Sequence, residues 1–130
     1  MSKKQIATAK APAAIGPYSQ AILAGSTLYC SGQIPLVAKT GEMVAGGVEE
    51  QTLQVLENLS QVLAAAGFAL DEVVKTTIYL ADLDHFALVN AIYGKYFPTP
   101  APARATVQVA ALPKGALVEI DAVAVKASPS

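Results

Sequence analysis

The stretch PARATVQVAAL, residues 102 to 112, holds Arg104, while every other basic residue among the nine Lys and Arg of the chain is a lysine. A surface position that needs only positive charge is served by lysine, whereas a planar, two-pronged grip on a carboxylate needs a guanidinium. Side chains alternate across a strand, so Arg104, Thr106 and Gln108 share one face of this run and Ala103, Ala105, Val107 and Val109 the other. The small neighbours Pro102, Ala103 and Ala105 leave room beside Arg104 for a ligand. A second strand-like run, LVEIDAVAVK, interrupts its apolar pattern with Glu119 and Asp121. Two neighbouring strands are therefore expected to bring charge to a sheet face. They form either a solvated rim pair worth about 0–1 kcal/mol, or a site in which Arg104 grips a small carboxylate ligand.

Other residues could complete such a site. Tyr18 in GPYSQ follows a rigid Gly-Pro that can hold its hydroxyl over a pocket; the alternative is a core tyrosine. SGQIP, residues 31 to 35, ends a strand with Ser31 and Gly32, and the glycine either lets a ligand approach backbone N–H groups or marks a turn or bulge. Asn90 lies one step off the apolar stripe of a helix and reads as helix surface with a route to a site. His85 stands beside a helix cap, where a structural or solvent role is expected, and Cys30, with no base nearby, reads as a buried small hydrophobe. One histidine so placed leaves no Ser/His/Asp or Cys/His constellation, so nucleophilic triad chemistry is not expected. One cysteine and one histidine also exclude an internal disulfide and a Cys/His zinc cluster. No metal and no cofactor is expected.

The elements that must position these residues follow from pattern. The 130 residues fit one domain, 1–130, with about 1–5 and 127–130 expected to be flexible. Residues 4 to 9 read as a short edge strand, and YSQAILA and TLYCSGQ flank Gly25-Ser26 as a hairpin. KTGEMVAGG reads as a loop or small second hairpin. From Val48 the period becomes helical: Val55, Leu56, Leu59, Val62 and Leu63 share an apolar face, with Glu49, Glu50, Gln54, Glu57, Asn58 and Gln61 opposite, up to a stop at Gly67. VVKTTIYL is a β-branched strand. A second helix, capped by Asp82 or Asp84, carries Phe86, Val89, Tyr93, Tyr96 and Phe97 on one face until Pro98 and Pro100 end it. Two strands follow, joined by PKGA. This order predicts an α+β domain with two helices on one face of a mixed sheet, leaving the other face to solvent or to another subunit.

Composition narrows the setting. Hydrophobic content of 53% against 15% charged is apolar for this length, so oligomerisation is expected. No apolar run approaches the ~20 residues that span a bilayer, and MSKKQIATAKAPAA has no apolar core of a signal peptide. No membrane association and a cytoplasmic location are therefore expected. A net charge of −1 and a pI near 5.7 give no basic field for phosphates, so nucleic acid is not an expected partner.

Five ordered segments, GPYSQA (16 to 21), SGQIP (31 to 35), VVKTTIYLADL (73 to 83), FALVNAIYGKYF (86 to 97) and PARATVQVAALPKGALVEIDAVAV (102 to 125), closely resemble the RidA group of the Rid (YjgF/UK114) family, the reactive intermediate/imine deaminases. The resemblance covers about residues 4 to 126. It implies a chorismate-mutase-like (ferredoxin-like) α+β fold, a homotrimer with active sites between subunits, and metal-free hydrolysis of 2-imino acids or enamines, such as 2-iminobutanoate and 2-iminopropanoate, to 2-oxo acids and ammonia. By motif it implies that Arg104 clamps the substrate carboxylate and that Glu119 orients or activates water. Tyr18, Ser31, Gly32 and Asn90 would line the substrate site, and Thr106 stands where many members carry cysteine.

Readings from other classes remain beside it: a regulatory protein that binds a 2-oxo acid or other metabolite without turnover, an endoribonuclease or translation inhibitor, and a holdase chaperone.

Overall fold

The computed structural model describes residues 2–126. Six strands form one mixed sheet in the order β1-β2-β3-β6-β4-β5. The strands are β1 (Lys4–Ile6), β2 (Ala21–Ala24), β3 (Thr27–Gln33), β4 (Val73–Leu80), β5 (Ala103–Gln108) and β6 (Val118–Val125), with helices α1 (Val48–Ala65) and α2 (Phe86–Tyr96) between β3 and β4 and between β4 and β5. The element order and the two-helix, one-sheet layering agree with the expectation from the sequence. Lys4 and Gln5 pair with Leu23 and Ile22 in the edge strand expected within residues 4 to 9. Met1 and the 127–130 tail lie outside the described residues.

Local chemistry accounts for each element. Gly25, at φ 62, takes the first position of the two-residue β2–β3 turn, where a side chain would be strained. Glu50 Oε1 accepts from Gly47 N–H (2.8 Å) at the start of α1, replacing one bond that a helix N-terminus cannot make internally. At the other end Gly67 (φ 80) allows Gly67 N–H to reach Ala64 O (3.0 Å) and Phe68 N–H to reach Leu63 O (2.9 Å), and buried Phe68 seals the stop. Val55, Leu56, Leu59 and Val62 are each 0% exposed against the sheet. Truncating one of these to alanine is expected to cost about 2–5 kcal/mol.

The polar face expected for α1 is not wholly solvated. Asn58 is 1% exposed, and its amide donates to Ile34 O (3.2 Å) and Leu36 O (2.9 Å). Gln51 is also buried and its Oε1 accepts from Leu117 N–H (2.8 Å). Both helix amides therefore tie loops at the ends of β3 and β6 to the core, because buried carbonyls and N–H groups must find partners.

Sheet order departs from sequence order at one place. β4 and β5 pair in parallel, which requires a crossover, and α2 provides it. That crossover carries β5 outward to the sheet edge, while β6 returns antiparallel between β3 and β4. The strands bearing Arg104 and Glu119 are consequently not neighbours, contrary to expectation; β4 separates them.

Candidate functional site

On β6 the alternation of an antiparallel strand buries Val118, Ile120, Ala122 and Ala124 toward the helices and turns Glu119 and Asp121 to the open face. Beside Glu119, the register of β3 shifts between Cys30 and Gln33, and this irregularity presents Ser31 and Gly32 to the same side. A Cβ on Gly32 would displace the Glu119 carboxylate from where it lies, so the glycine leaves room for that carboxylate against β3. Burial first, and the Asp121 charge second, raise the pKa of Glu119 above that of an ordinary carboxyl.

These residues border a cavity of about 720 Å³ whose lining includes Tyr18, Ser31, Gly32 and Glu119. The Ser31 hydroxyl donates to Ser19 O (2.6 Å), which commits its proton and leaves its lone pairs for an incoming N–H or water. Tyr18 is 53% exposed, so it is not a core tyrosine; a turn through Gly16 (φ 116) places it at the rim. The wall preceding it is held by Gln20, 4% exposed, whose amide accepts from Thr8 N–H (2.7 Å) and donates to Thr8 O (3.1 Å), Ala11 O (3.3 Å) and Pro12 O (2.7 Å). Lys114, at φ 58 in the turn before β6, also lines the cavity. Neither Gln20 nor Lys114 was legible as a site residue. The signal for Lys114 was its place in PKGA, a turn leading directly into the strand of Glu119.

Arg104 belongs to a second cluster. In the parallel register Arg104, Thr106 and Gln108 stand beside Thr76, Ile78 and Leu80, the residues of β4 that face the helices. There the guanidinium lies 5.0 Å from the Tyr93 ring centroid and 5.5 Å from that of Phe86, and Nη1 donates to Asn90 Oδ1 (2.7 Å). The rings and the amide fix the plane of the fork. Among the described residues the ion pair within reach is Lys126–Glu72 (2.9 Å), so Arg104 has no carboxylate partner within them. Thr106 Oγ1 is buried without a hydrogen-bond partner, as is Nδ1 of His85 at the start of α2.

The candidate residues thus fall into two groups. Tyr18, Ser31, Gly32 and Glu119 share the cavity, whereas Asn90 and Arg104 are joined on the helix side of β5, two residues along from Thr106. Cys30 is buried, and burial pushes its thiol pKa up to about 12, which leaves it no nucleophilic thiolate at neutral pH. Among the described residues no three His, Cys, Asp or Glu side chains come together to hold a metal ion, and no helix is long and apolar enough to cross a membrane.

The profile of the Endoribonuclease L-PSP family matches residues 8–126 of the chain. The human protein named 2-iminobutanoate/2-iminopropanoate deaminase is 53% identical over 124 residues, which cover 95% of this chain and 90% of that protein. Among solved structures, RidA from the Antarctic bacterium Psychrobacter sp. superposes with a TM-score of 0.91 at 46% identity, over 95% of this chain and 99% of that one. E. coli TdcF, solved with bound serine, superposes with a TM-score of 0.90 at 40% identity, again over 95% and 99%. With a family match running from Thr8 to Lys126 and deaminase-named relatives more than half identical across nearly the whole chain, this chain belongs to the Endoribonuclease L-PSP (Rid) family and is a RidA-type protein.

Proposed function

We propose that the chain hydrolyses 2-imino acids, or their enamine tautomers, to 2-oxo acids and ammonia, in the cytoplasm, as a homotrimer of chorismate-mutase-like subunits whose sites lie between copies. The observation that carries this reading is Glu119: a carboxyl of raised proton affinity, held in an apolar-walled cavity beside Ser31, Gly32 and Tyr18. The iminium carbon of such a substrate is already electrophilic. Glu119 takes one proton from water as its oxygen bonds to that carbon and returns it to the nitrogen; the C–N bond then breaks, ammonia leaves, and the remaining hydroxyl proton passes to Glu119 as the C=O forms. Ser31 Oγ accepts from the iminium N–H, and Gly32, lacking a Cβ, leaves room for the Glu119 carboxylate beside the substrate.

Arg104 grips the substrate carboxylate in this reading, with Asn90, Phe86 and Tyr93 orienting the fork and Thr106 adding its unclaimed hydroxyl. Because Arg104 and Glu119 face opposite sides of the sheet, one ligand meets both only if a second copy supplies one of them. The open face supports such packing: Tyr29, Val107 and Val74 are 53%, 41% and 47% exposed there or at its border. Lys114 is the rival cation, since it already lines the cavity. It offers a point charge on an exposed turn, where Arg104 offers an oriented planar fork.

The test is the hydrolysis rate of 2-iminobutanoate, generated in situ by threonine dehydratase and trapped with semicarbazide, for wild type, Arg104→Ala and Lys114→Ala. Acceleration by wild type and Lys114→Ala but not by Arg104→Ala is expected. Loss in Lys114→Ala alone moves the clamp to Lys114, and no acceleration by an intact wild type overturns the reading. The serine bound to TdcF favours one second reading, a non-catalytic sensor of small amino or oxo acids. A sensor keeps its affinity in Glu119→Gln, while a hydrolase loses rate.

A further inference from the structure

A polar group on the open sheet face remains outside the proposed reaction. Asp121 follows Glu119 by two residues on β6, so both side chains stand on one face, from Cα atoms about 7 Å apart along the strand. Tyr79 on β4 lies directly opposite Glu119, yet its hydroxyl reaches along the diagonal and donates to Asp121 Oδ2 (2.9 Å). Thr77 stands opposite Asp121, and Val123 and Val125 continue the face. A carboxylate in such surroundings costs free energy unless it is paired, and among the described residues no cation lies within ion-pair distance of either carboxylate.

The other charged or titratable groups around the two are few. On β4, Lys75 turns its ammonium to the Thr76 carbonyl (3.2 Å). On β3 there are Tyr29, opposite Val123, and the buried Cys30. Around the cavity there are Tyr18 and Lys114. Asp121 is thus the negative charge placed beside Glu119 by the strand itself.

We propose that Asp121 and Tyr79 act on the reaction through Glu119: Asp121 sets a negative charge beside the Glu119 carboxylate on the same sheet face, and the Tyr79 hydroxyl holds Asp121 in place. The proposal rests on the deaminase reading and deepens it. A group that takes a proton from water and returns it to the leaving amine works best when its proton affinity lies near the working pH, which an ordinary carboxylate does not reach. Burial supplies one part of the increase at Glu119 and Asp121 the other. The bond to Asp121, ahead of burial, raises the pKa of Tyr79 in turn, so Tyr79 remains a donor through the neutral range. Both are positioning residues, acting through Glu119.

Two readouts test this on wild type, Asp121→Asn and Tyr79→Phe, each checked for unchanged oligomer size. One is kcat/KM for the imine across pH; the other is the titration of the Glu119 carboxyl in isotope-labelled protein by NMR, which needs no turnover. In Asp121→Asn the acid limb and the carboxyl midpoint are expected to move together to lower pH, with a several-fold lower plateau and little change in KM. Tyr79→Phe is expected to move both in the same direction by less. An unmoved midpoint in Asp121→Asn overturns the proposal, and a moved midpoint with an unmoved acid limb overturns its catalytic half. A folded wild type without turnover overturns the deaminase reading and that catalytic half together, while the NMR titration still decides the coupling between the two carboxylates.

Discussion

Arg104 and Glu119 stand on opposite faces of one sheet, on strands separated by β4. Within a single chain no substrate can bridge them, because the β4 backbone and its buried side chains fill the space between. If both serve one reaction, the functional unit is a contact between copies.

Complementation follows from this. Arg104→Ala and Glu119→Gln, each inactive alone, are expected to regain activity when unfolded together and refolded as mixed oligomers. With random assembly and one residue taken from each of two copies, about a quarter of the sites are intact. Deaminase assays on the mixture against each variant refolded alone measure it. A mixture no more active than its components shows that Arg104 and Glu119 do not serve one shared site.

Arg104→Lys keeps the charge but loses the planar fork. A charge-assisted hydrogen bond of this kind is worth about 1.5–3 kcal/mol, so kcat/KM is expected to fall by roughly 10- to 150-fold. Steady-state kinetics with the oligomer verified by size-exclusion chromatography reads this, and Asn90→Ala, which frees the guanidinium without removing it, is expected to lie between the two.

Glu119 also sets a pH dependence of stability. Its folded-state pKa lies above the unfolded one, so the folded state binds its proton more tightly. The cost of ionising it is then absent below the unfolded pKa, grows as pH rises, and is complete above the folded pKa. Glu119→Gln is therefore expected to melt higher than wild type at neutral pH, with the difference vanishing under acid conditions. Thermal melts at matched protein concentration across pH follow it, and an equal difference at every pH contradicts the assignment.

Gln20 anchors the cavity wall. Gln20→Leu keeps the volume but leaves the buried Ala11 carbonyl and the part-buried backbone groups of Thr8 and Pro12 without this partner, at an expected cost of about 1–3 kcal/mol. Amide exchange is expected to quicken selectively in the segment Thr8 to Tyr18, and KM to rise more than kcat falls. Exchange quickened evenly through the sheet would mean that Gln20 serves the fold alone.

Periodicity made most of the architecture legible: the apolar stripe of α1, the hairpin at Gly25-Ser26 and the helix stop at Gly67 depend on neighbours in the chain, which a sequence displays. The shared face of Arg104, Thr106 and Gln108 was legible for the same reason. Which of the two sheet faces they take was not, because it depends on β5 being carried outside β4 by the α2 crossover. Consecutive strands such as β5 and β6 more often pair, and here they do not. Asn58 misled for a related reason, since a polar residue beside an apolar stripe looks solvated until the distant carbonyls of Ile34 and Leu36 are known to need it.

The two amide tethers from α1 carry a consequence for the lifetime of the protein at temperature. Gln51 grips the approach to β6 at Leu117, and Asn58 the exit of β3 at Ile34 and Leu36, so the rims on either side of the cavity are fastened to the most deeply packed helix. These two rims therefore open only with the core, whereas the Thr8–Tyr18 wall is held separately, through Gln20. For the β3 and β6 rims, loss of geometry and cooperative unfolding of the core are one event, and a heat-inactivation curve is expected to overlay the loss of helical signal in wild type but to run ahead of it in Gln20→Leu. Strengthening α1, far from any substrate, would lengthen catalytic endurance as much as it raised the melting temperature.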